Sequence, residues 1–329
     1  MDAWFVTGLL EILNLTTYFY TSRGIVRAVD GANIVIQRGE AVGLVGESGS
    51  GKTMTAFSVM RLIPPPGRTV SGEVWLDLGR ERIDLLKLPQ AEMRKIRGAR
   101  ISMVFQDPMT YLNPVMKISD QIAETIVLHQ GFARDEARKK GVEILEKVRI
   151  PAATTVAQYY PHQLSGGMRQ RVLIAMAISC NPALLIADEP TTALDVTVQA
   201  QVLELIKTLK RELGMALLLI THDLGIVADT CDKIFVMYAG RIVEEGDVFA
   251  IYGDPKHPYT VALLKSTLSM DEFKEKLVTI EGTVPDLTNP PKGCRFHPRC
   301  PFAMDKCRTM DPPLIELSGG RKVSCWLFE

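Results

Sequence analysis

The sequence predicts an α/β protein with a parallel sheet flanked by helices, and three observations carry that expectation. Short, wholly apolar runs alternate with helical patterns, a glycine-rich loop sits directly between one such run and a helix, and a last quarter is crowded with proline and cysteine. The runs at 41–45, 101–105, 183–187 and 216–220 show no polar alternation, so they read as strands buried on both faces, hence parallel and covered by helices. Helical periodicity lies at 52–63, about 117–148, 167–180 and 197–213, and this alternation implies right-handed crossovers around one sheet. Residues 11–20, 33–37 and 72–78 alternate apolar with polar and predict a small antiparallel sheet near the N-terminus. Residues 233–246 read as a hairpin turning at Ala239-Gly240. Beyond about residue 250 one more helix is expected near Pro258, and then prolines at 285, 290, 291, 298 and 301 leave little regular structure.

The 329 residues, 47% hydrophobic, suffice for a sizeable core. Lys plus Arg and Asp plus Glu both count 38, so no net charge draws the chain to nucleic acid or anionic lipid. No apolar run approaches the ~20 residues of a membrane-spanning helix. The start, MDAWFVTGLLEIL, lacks a basic opening and does not read as a signal peptide, which places the expected chain inside the cell with its cysteines reduced.

The loop is AVGLVGESGSGKT, residues 41–53, with Gly46, Gly51, Lys52 and Thr53 at the fixed positions of G-x-x-x-x-G-K-[ST]. Glycines let backbone N–H groups turn inward without a Cβ in the way. The N–H groups of Ser48, Gly49, Ser50, Gly51, Lys52, Thr53 and Met54, at a helix N-terminus, then suit a polyphosphate. Lys52 would reach the β- and γ-phosphates of a nucleotide and the Thr53 hydroxyl would ligate Mg²⁺. The apolar strand of LLIADEP, residues 184–190, ends in two acids: Asp188 can hold Mg²⁺ through water and Glu189 can polarise an attacking water. In HQLSGGMRQRV, residues 162–172, Ser165 reads as an N-cap, and Gly166 and Gly167 open a helix with Met168, Val172, Ala175 and Met176 on one face. A bare helix start of this kind offers N–H donors to an anion, and since the chain already has a phosphate loop, a second anion site makes sense if it closes over another subunit's nucleotide.

The phosphate loop, FQDP (105–108), LSGGM (164–168), LLIADEP and THD (221–223) occur in the order of an ABC transporter nucleotide-binding subunit, which residues 10–250 resemble. The resemblance implies a P-loop NTPase core with an antiparallel β-subdomain and a helical subdomain at about 107–180, together spanning 1–250, and ATP with Mg²⁺ as cofactors. Phe19 resembles the aromatic that stacks on adenine, with Tyr18 and Tyr20 beside it as alternatives. Gln106 resembles the glutamine that senses Mg²⁺ and the membrane partner, Asp195 of TTALD the aspartate that crosses the dimer interface, and His222 the switch histidine on the γ-phosphate. Glu189, His222, Lys52 and Gln106 are thus the expected catalytic set. Two subunits would sandwich two ATPs between the phosphate loop of one and the Ser165 helix of the other; hydrolysis would reopen the pair and move the membrane subunits.

Cys294, Cys300, Cys307 and Cys325 follow C-x5-C-x6-C-x17-C, which is neither a paired zinc spacing nor a ferredoxin run. The spacing reads as four thiolates on one metal centre, against four loose cysteines in a loop-rich tail. Residues 257–266 followed by 293–307 resemble the C-terminal extension of oligopeptide and dipeptide importer ATPases. That resemblance implies an extension over 251–329 holding a [4Fe–4S] cluster on the four cysteines, with Zn²⁺ as the alternative, while Cys180 and Cys231 read as packing residues. It also implies a second, similar ATPase as partner in a heterodimer, two transmembrane permease subunits, an external substrate-binding protein, no nucleic acid, and a peripheral place on the cytoplasmic face of the cell membrane. Nickel or oligosaccharide cargo remains an alternative to peptides, and a soluble ABC ATPase of DNA repair or translation a minor one.

Overall fold

The computed structural model describes residues 8–192, 194–268 and 280–329. The chain forms two compact units, one from Met1–Lys87 with Leu219–Glu329, the other from Leu88–Leu218. The first unit opens with β1 (Leu10–Thr21), β2 (Gly24–Ile36), β3 (Ala41–Val45), α1 (Lys52–Met60), β4 (Gly67–Asp77) and β5 (Arg82–Asp84). The second unit holds α2 (Gln90–Ile96), β6 (Ile101–Val104), α3 (Pro108–Tyr111), α4 (Ile118–Gln130), α5 (Arg134–Lys147), α6 (Ala153–Val156), α7 (Gly166–Ile178), β7 (Leu184–Asp188) and α8 (Val196–Leu213). Strand β8 (Ala216–Thr221) begins in the second unit and ends in the first. There α9 (Leu224–Thr230), β9 (Lys233–Tyr238), β10 (Arg241–Asp247), α10 (Val248–Gly253), α11 (Pro258–Leu268), α12 (Asp305–Thr309), β11 (Ile315–Glu316) and β12 (Lys322–Val323) follow.

In the first unit the N-terminal strands form an antiparallel sheet in the order β2-β1-β4-β5. Leu10, Ile12 and Leu15 are fully buried along β1, and a register shift between Ile12 and Leu15 breaks the strict alternation. Strand β2 starts well before the expected segment at 33–37, because residues from Gly24 onward already pair with β1, Val26 opposite Phe19 and Asp30 opposite Thr16. A second sheet runs β11-β12-β10-β9-β3, with β3 parallel to β9, Val45 beside Val236. The hairpin of β9 and β10 turns as expected at Ala239 (φ 48°) and Gly240 (φ 87°), both in the left-handed region. The cysteine-rich segment contributes more order than its prolines suggest. Its β12 pairs with β10, Glu244 opposite Val323, and the almost fully buried Glu244 takes an ion pair from Arg321 at 3.2 Å and the N–H groups of Lys256 and His257 at 2.8 Å each.

In the second unit β6 and β7 pair in parallel, Ile101 beside Leu184. The single helix expected over 117–148 is two. Gly131 stops α4 in a left-handed C-cap (φ 71°), and α5 folds back so that Ile122, Ile126 and Leu145 lie in the core. A 3.6-residue pattern continues on both sides of the break, which is why periodicity alone did not find it. Helix α7 is buried on nearly all sides from Gln170 onward, with Met168 and Met176 only half-buried, so it lacks the apolar stripe expected of it. Helix α8 keeps one, with Val202, Leu205, Ile206 and Leu209 buried. Among the described residues no helix is long and apolar enough to cross a membrane.

The sign of a Gly131→Ala substitution tests this break. Alanine favours a continuous helix, but a left-handed non-glycine residue costs about 1 kcal/mol. The variant is therefore expected to lower the urea midpoint; a raised midpoint would mean α4 and α5 are one helix in solution.

Candidate functional site

Strand β3 is buried throughout and delivers the chain into the glycine-rich loop. Gly46 has φ 154°, and a Cβ there would lie 2.1 Å from the Met237 carbonyl oxygen; one on Gly51, at φ 108°, would lie 2.2 Å from that of Ala28. Both positions therefore admit glycine alone. Gly51 is also the cap of α1, so no capping side chain occupies the start of that helix. Lys52 is 5% exposed, and its ammonium donates to the carbonyls of Gly46 at 2.8 Å and Glu47 at 3.0 Å. The Ser50 hydroxyl is buried with no hydrogen-bond partner among the described residues.

The other expected residues of this unit fall as follows. Phe19 is half-buried with its ring edge against Gly67, where a Cβ would come within 2.5 Å of it. Tyr18 instead donates its hydroxyl to Asp30 at 2.7 Å, and the Tyr20 ring lies under the Arg68 guanidinium at 4.1 Å. Only Phe19 of the three is thus without a polar partner in these contacts. His222 stands exposed just after β8.

In the second unit Asp188 ends β7 at 2% exposure. The next residue, Glu189, has φ 44°, a conformation that costs a non-glycine residue about 1–3 kcal/mol and persists where the surroundings impose it. Two donors surround its side chain: Gln106 Nε2 donates to its carboxylate at 2.8 Å and the Thr192 hydroxyl at 3.0 Å. The pairing of Gln106 with Glu189, and Thr192 altogether, escaped sequence reasoning, since 83 residues separate the first two. Ser165 caps α7, accepting from Met168 N–H at 3.3 Å, and Asp195 caps α8, accepting from Val198 N–H at 2.9 Å. The two helix starts adjoin, because a Cβ on Gly167 would meet Val198 Cγ1 at 2.6 Å. The predicted serine–glycine segment and the predicted aspartate thereby share one place.

The four tail cysteines line one narrow cavity in the first unit, walled by Phe296 and Trp326. Gly293, at φ 67°, closes the chain so that Cys294 N–H donates to the Cys307 carbonyl at 2.9 Å; a Cβ on Gly293 would sit 2.5 Å from that oxygen. Burial pushes the Cys294 thiol up to about 11 and raises those of Cys300 and Cys325. His257, also on the cavity wall, is 1% exposed, and burial drives it down to about 3, so its ring is neutral. Its Nδ1 accepts the Tyr259 N–H at 3.0 Å, so the proton is on Nε2, which has no partner among the described residues. Among the described residues no group of three or more His, Cys, Asp or Glu side chains is arranged to hold a metal ion. Cys180 is half-buried against the Thr125 carbonyl and Cys231 is buried, as packing residues are. Sequence reasoning also missed Tyr259 and Arg299, which both meet Glu47 of the phosphate loop. Arg295 and Arg299, both between Cys294 and Cys300, were the available signal, but nothing in the sequence names their partners.

Two family profiles match the chain: one described as ABC transporter over residues 29–192, the other as oligopeptide/dipeptide transporter, C-terminal region, over residues 243–307. The chain is 50% identical to the oligopeptide transport ATP-binding protein AppD of Bacillus subtilis, with 98% of each covered. It is 47% identical to the dipeptide transport ATP-binding protein DppD of Escherichia coli, covering 97% of this chain and 96% of that one. Among solved structures, the dimeric ATP-binding cassette MJ0796 in a post-hydrolysis state with ADP and Pi superposes with a TM-score of 0.64 at 29% identity, over 73% of this chain and 98% of that one. Together with the loop, the paired acids and the capped helix starts, these likenesses place the chain in the ABC transporter ATP-binding family, among its oligopeptide and dipeptide transport members.

Proposed function

We propose that this chain hydrolyses ATP as the energy-coupling subunit of an importer of dipeptides or oligopeptides. The observation that carries the reading is Glu189, held in a strained backbone conformation directly after a buried aspartate by Gln106 and Thr192. A carboxylate fixed in this way suits a general base for an attacking water, and the glycine-shaped loop with Lys52 suits the phosphates. Thr53, Gln106 and Asp188 are assigned to Mg²⁺, the loop residues Ser48 to Met54 to the phosphates, Phe19 to adenine and His222 to the γ-phosphate. Ser165, Gly166, Gly167 and Asp195 are assigned to the nucleotide of a second ATPase subunit, which favours the closed pair while the γ-phosphate is intact. Met109 and Val115, 52% and 80% exposed around α3, suit contact with a permease subunit at the cytoplasmic face of the membrane. Substrate reaches the two permease subunits from an external binding protein. We retain the division into a nucleotide-binding domain over 1–250 and an extension over 251–329.

For the extension we propose a [4Fe–4S] cluster on Cys294, Cys300, Cys307 and Cys325. All four thiols line one apolar-walled cavity, which suits a group that they share, and the His257 N–H on the same wall, without a partner among the described residues, suits a sulfur-rich one. Bound there, a cluster would cross-link segments of a tail that has few apolar residues of its own.

A Glu189→Gln variant is expected to bind ATP as tightly as the parent, to lose ATP turnover by at least about a hundredfold, and to accumulate in the closed assembly; unchanged turnover would remove Glu189 from its role. Anaerobically purified protein is expected to be brown with absorbance near 400 nm that Cys300→Ser abolishes, whereas colourless protein with stoichiometric zinc would decide for the alternative.

A further inference from the structure

Glu47, the second residue of the phosphate loop, is held at every polar group. Its backbone N–H donates to the Tyr259 hydroxyl at 2.8 Å, and its carbonyl accepts from Ser50 N–H at 3.2 Å and Lys52 Nζ at 3.0 Å. Its carboxylate takes a two-pronged hydrogen bond from Arg299, at 2.8 and 3.0 Å. Arg299 in turn is saturated. Its remaining N–H groups go to the carbonyls of Glu281 and Ile280 and to the Tyr238 hydroxyl, so all five donors are used while the side chain is only 5% exposed. A buried, fully committed guanidinium is a fixed object, and leaving its carboxylate partner behind would cost far more than an exposed ion pair.

The other side of the loop is held from the same segment. Arg295 ion-pairs with Asp30 and donates to the Ala239 carbonyl, and the neighbouring Gly240 N–H donates to the Ser50 carbonyl at 2.8 Å. Arg295 and Arg299 follow and precede Cys294 and Cys300 respectively, and Tyr259 lies two residues from His257 on the cysteine cavity.

We propose that Arg299 and Tyr259 are positioning residues of the ATP site: the cysteine-bearing extension clamps Glu47 and thereby holds the phosphate loop in its anion-ready shape. The inference rests on the loop being where ATP binds, and it makes the extension a structural part of that site. Glu47 itself spends its N–H on Tyr259, so it is an anchor and not one of the phosphate donors. Neither arginine nor tyrosine touches the nucleotide; each acts through the loop.

Full-length Arg299→Ala and Tyr259→Phe would be titrated with a non-hydrolysable ATP analogue, and their KM for ATP and kcat measured beside Lys52→Ala and the parent. Arg299→Ala is expected to weaken ATP binding and raise KM by roughly tenfold or more, and Tyr259→Phe by about two- to tenfold, with kcat at saturating ATP little changed. A merely structural role would instead lower the active fraction, reducing kcat and leaving KM alone. Arg299→Lys, which keeps the charge but not the fork, is expected to leave most of the loss in place. Adding Glu47→Gln to Arg299→Ala should cost little more, since the contact is already gone. Unchanged KM in both Arg299→Ala and Tyr259→Phe, with Lys52→Ala abolishing binding, overturns the clamp and leaves the ATP site in place. Unchanged binding in Lys52→Ala would overturn the functional reading beneath it.

Discussion

A loop that binds phosphate through backbone N–H groups faces one physical demand: its peptides must point inward, uncovered by side chains, before the anion arrives. Two glycines meet the first half of that demand, because a Cβ at Gly46 or Gly51 would strike the carbonyls of Met237 or Ala28. The second half is rigidity. A glycine-rich loop is by nature conformationally free, so its shape has to be imposed from outside. Strand β3, the β9–β10 turn and the extension impose it from different directions, through packing, the Gly240–Ser50 hydrogen bond and the contacts of Glu47.

The same logic of imposed shape recurs in the second unit. Glu189 sits in a conformation that its side chain disfavours, and the two donors on its carboxylate fix where that carboxylate points. Strain held at one residue beside a buried aspartate is how a fold can leave the proposed base little freedom to drift. The adjoining caps of α7 and α8 work similarly: Gly167 lets the two helix starts approach closely, so Ser165 and Asp195 are presented together.

The extension joins two chemistries that the chain order keeps apart. Residues 257–259 contribute a buried histidine to the cysteine cavity and a tyrosine to the phosphate loop, and the segment between Cys294 and Cys300 contributes both arginines. Glu244, buried in β10, gathers Lys256, His257 and Arg321, which ties the start of α11 and the last strand to the sheet. Beside a few buried apolar side chains such as Phe296, Val323 and Trp326, the segment is thus ordered by charged groups paired in partly buried places, where they hold geometry more strictly than surface pairs do.

Local pattern by itself determined the class of this protein. Apolar runs without alternation gave the strands, G-x-x-x-x-G-K-T gave the phosphate loop, and Ser165 and the acids at the end of β7 were legible because caps and strand ends are local features. The α4–α5 break was not legible, because one glycine interrupts a periodicity that otherwise continues, and neither was the extra strand β12 amid prolines. Tertiary structure alone decided which distant groups meet: Gln106 with Glu189, Arg299 with Glu47, four cysteines and His257 around one cavity. The physical reason is that hydrogen bonds and ion pairs leave no periodic trace in a sequence. A strand or a cap is written in adjacent residues, but a partner 252 positions away is chosen only when the chain has folded.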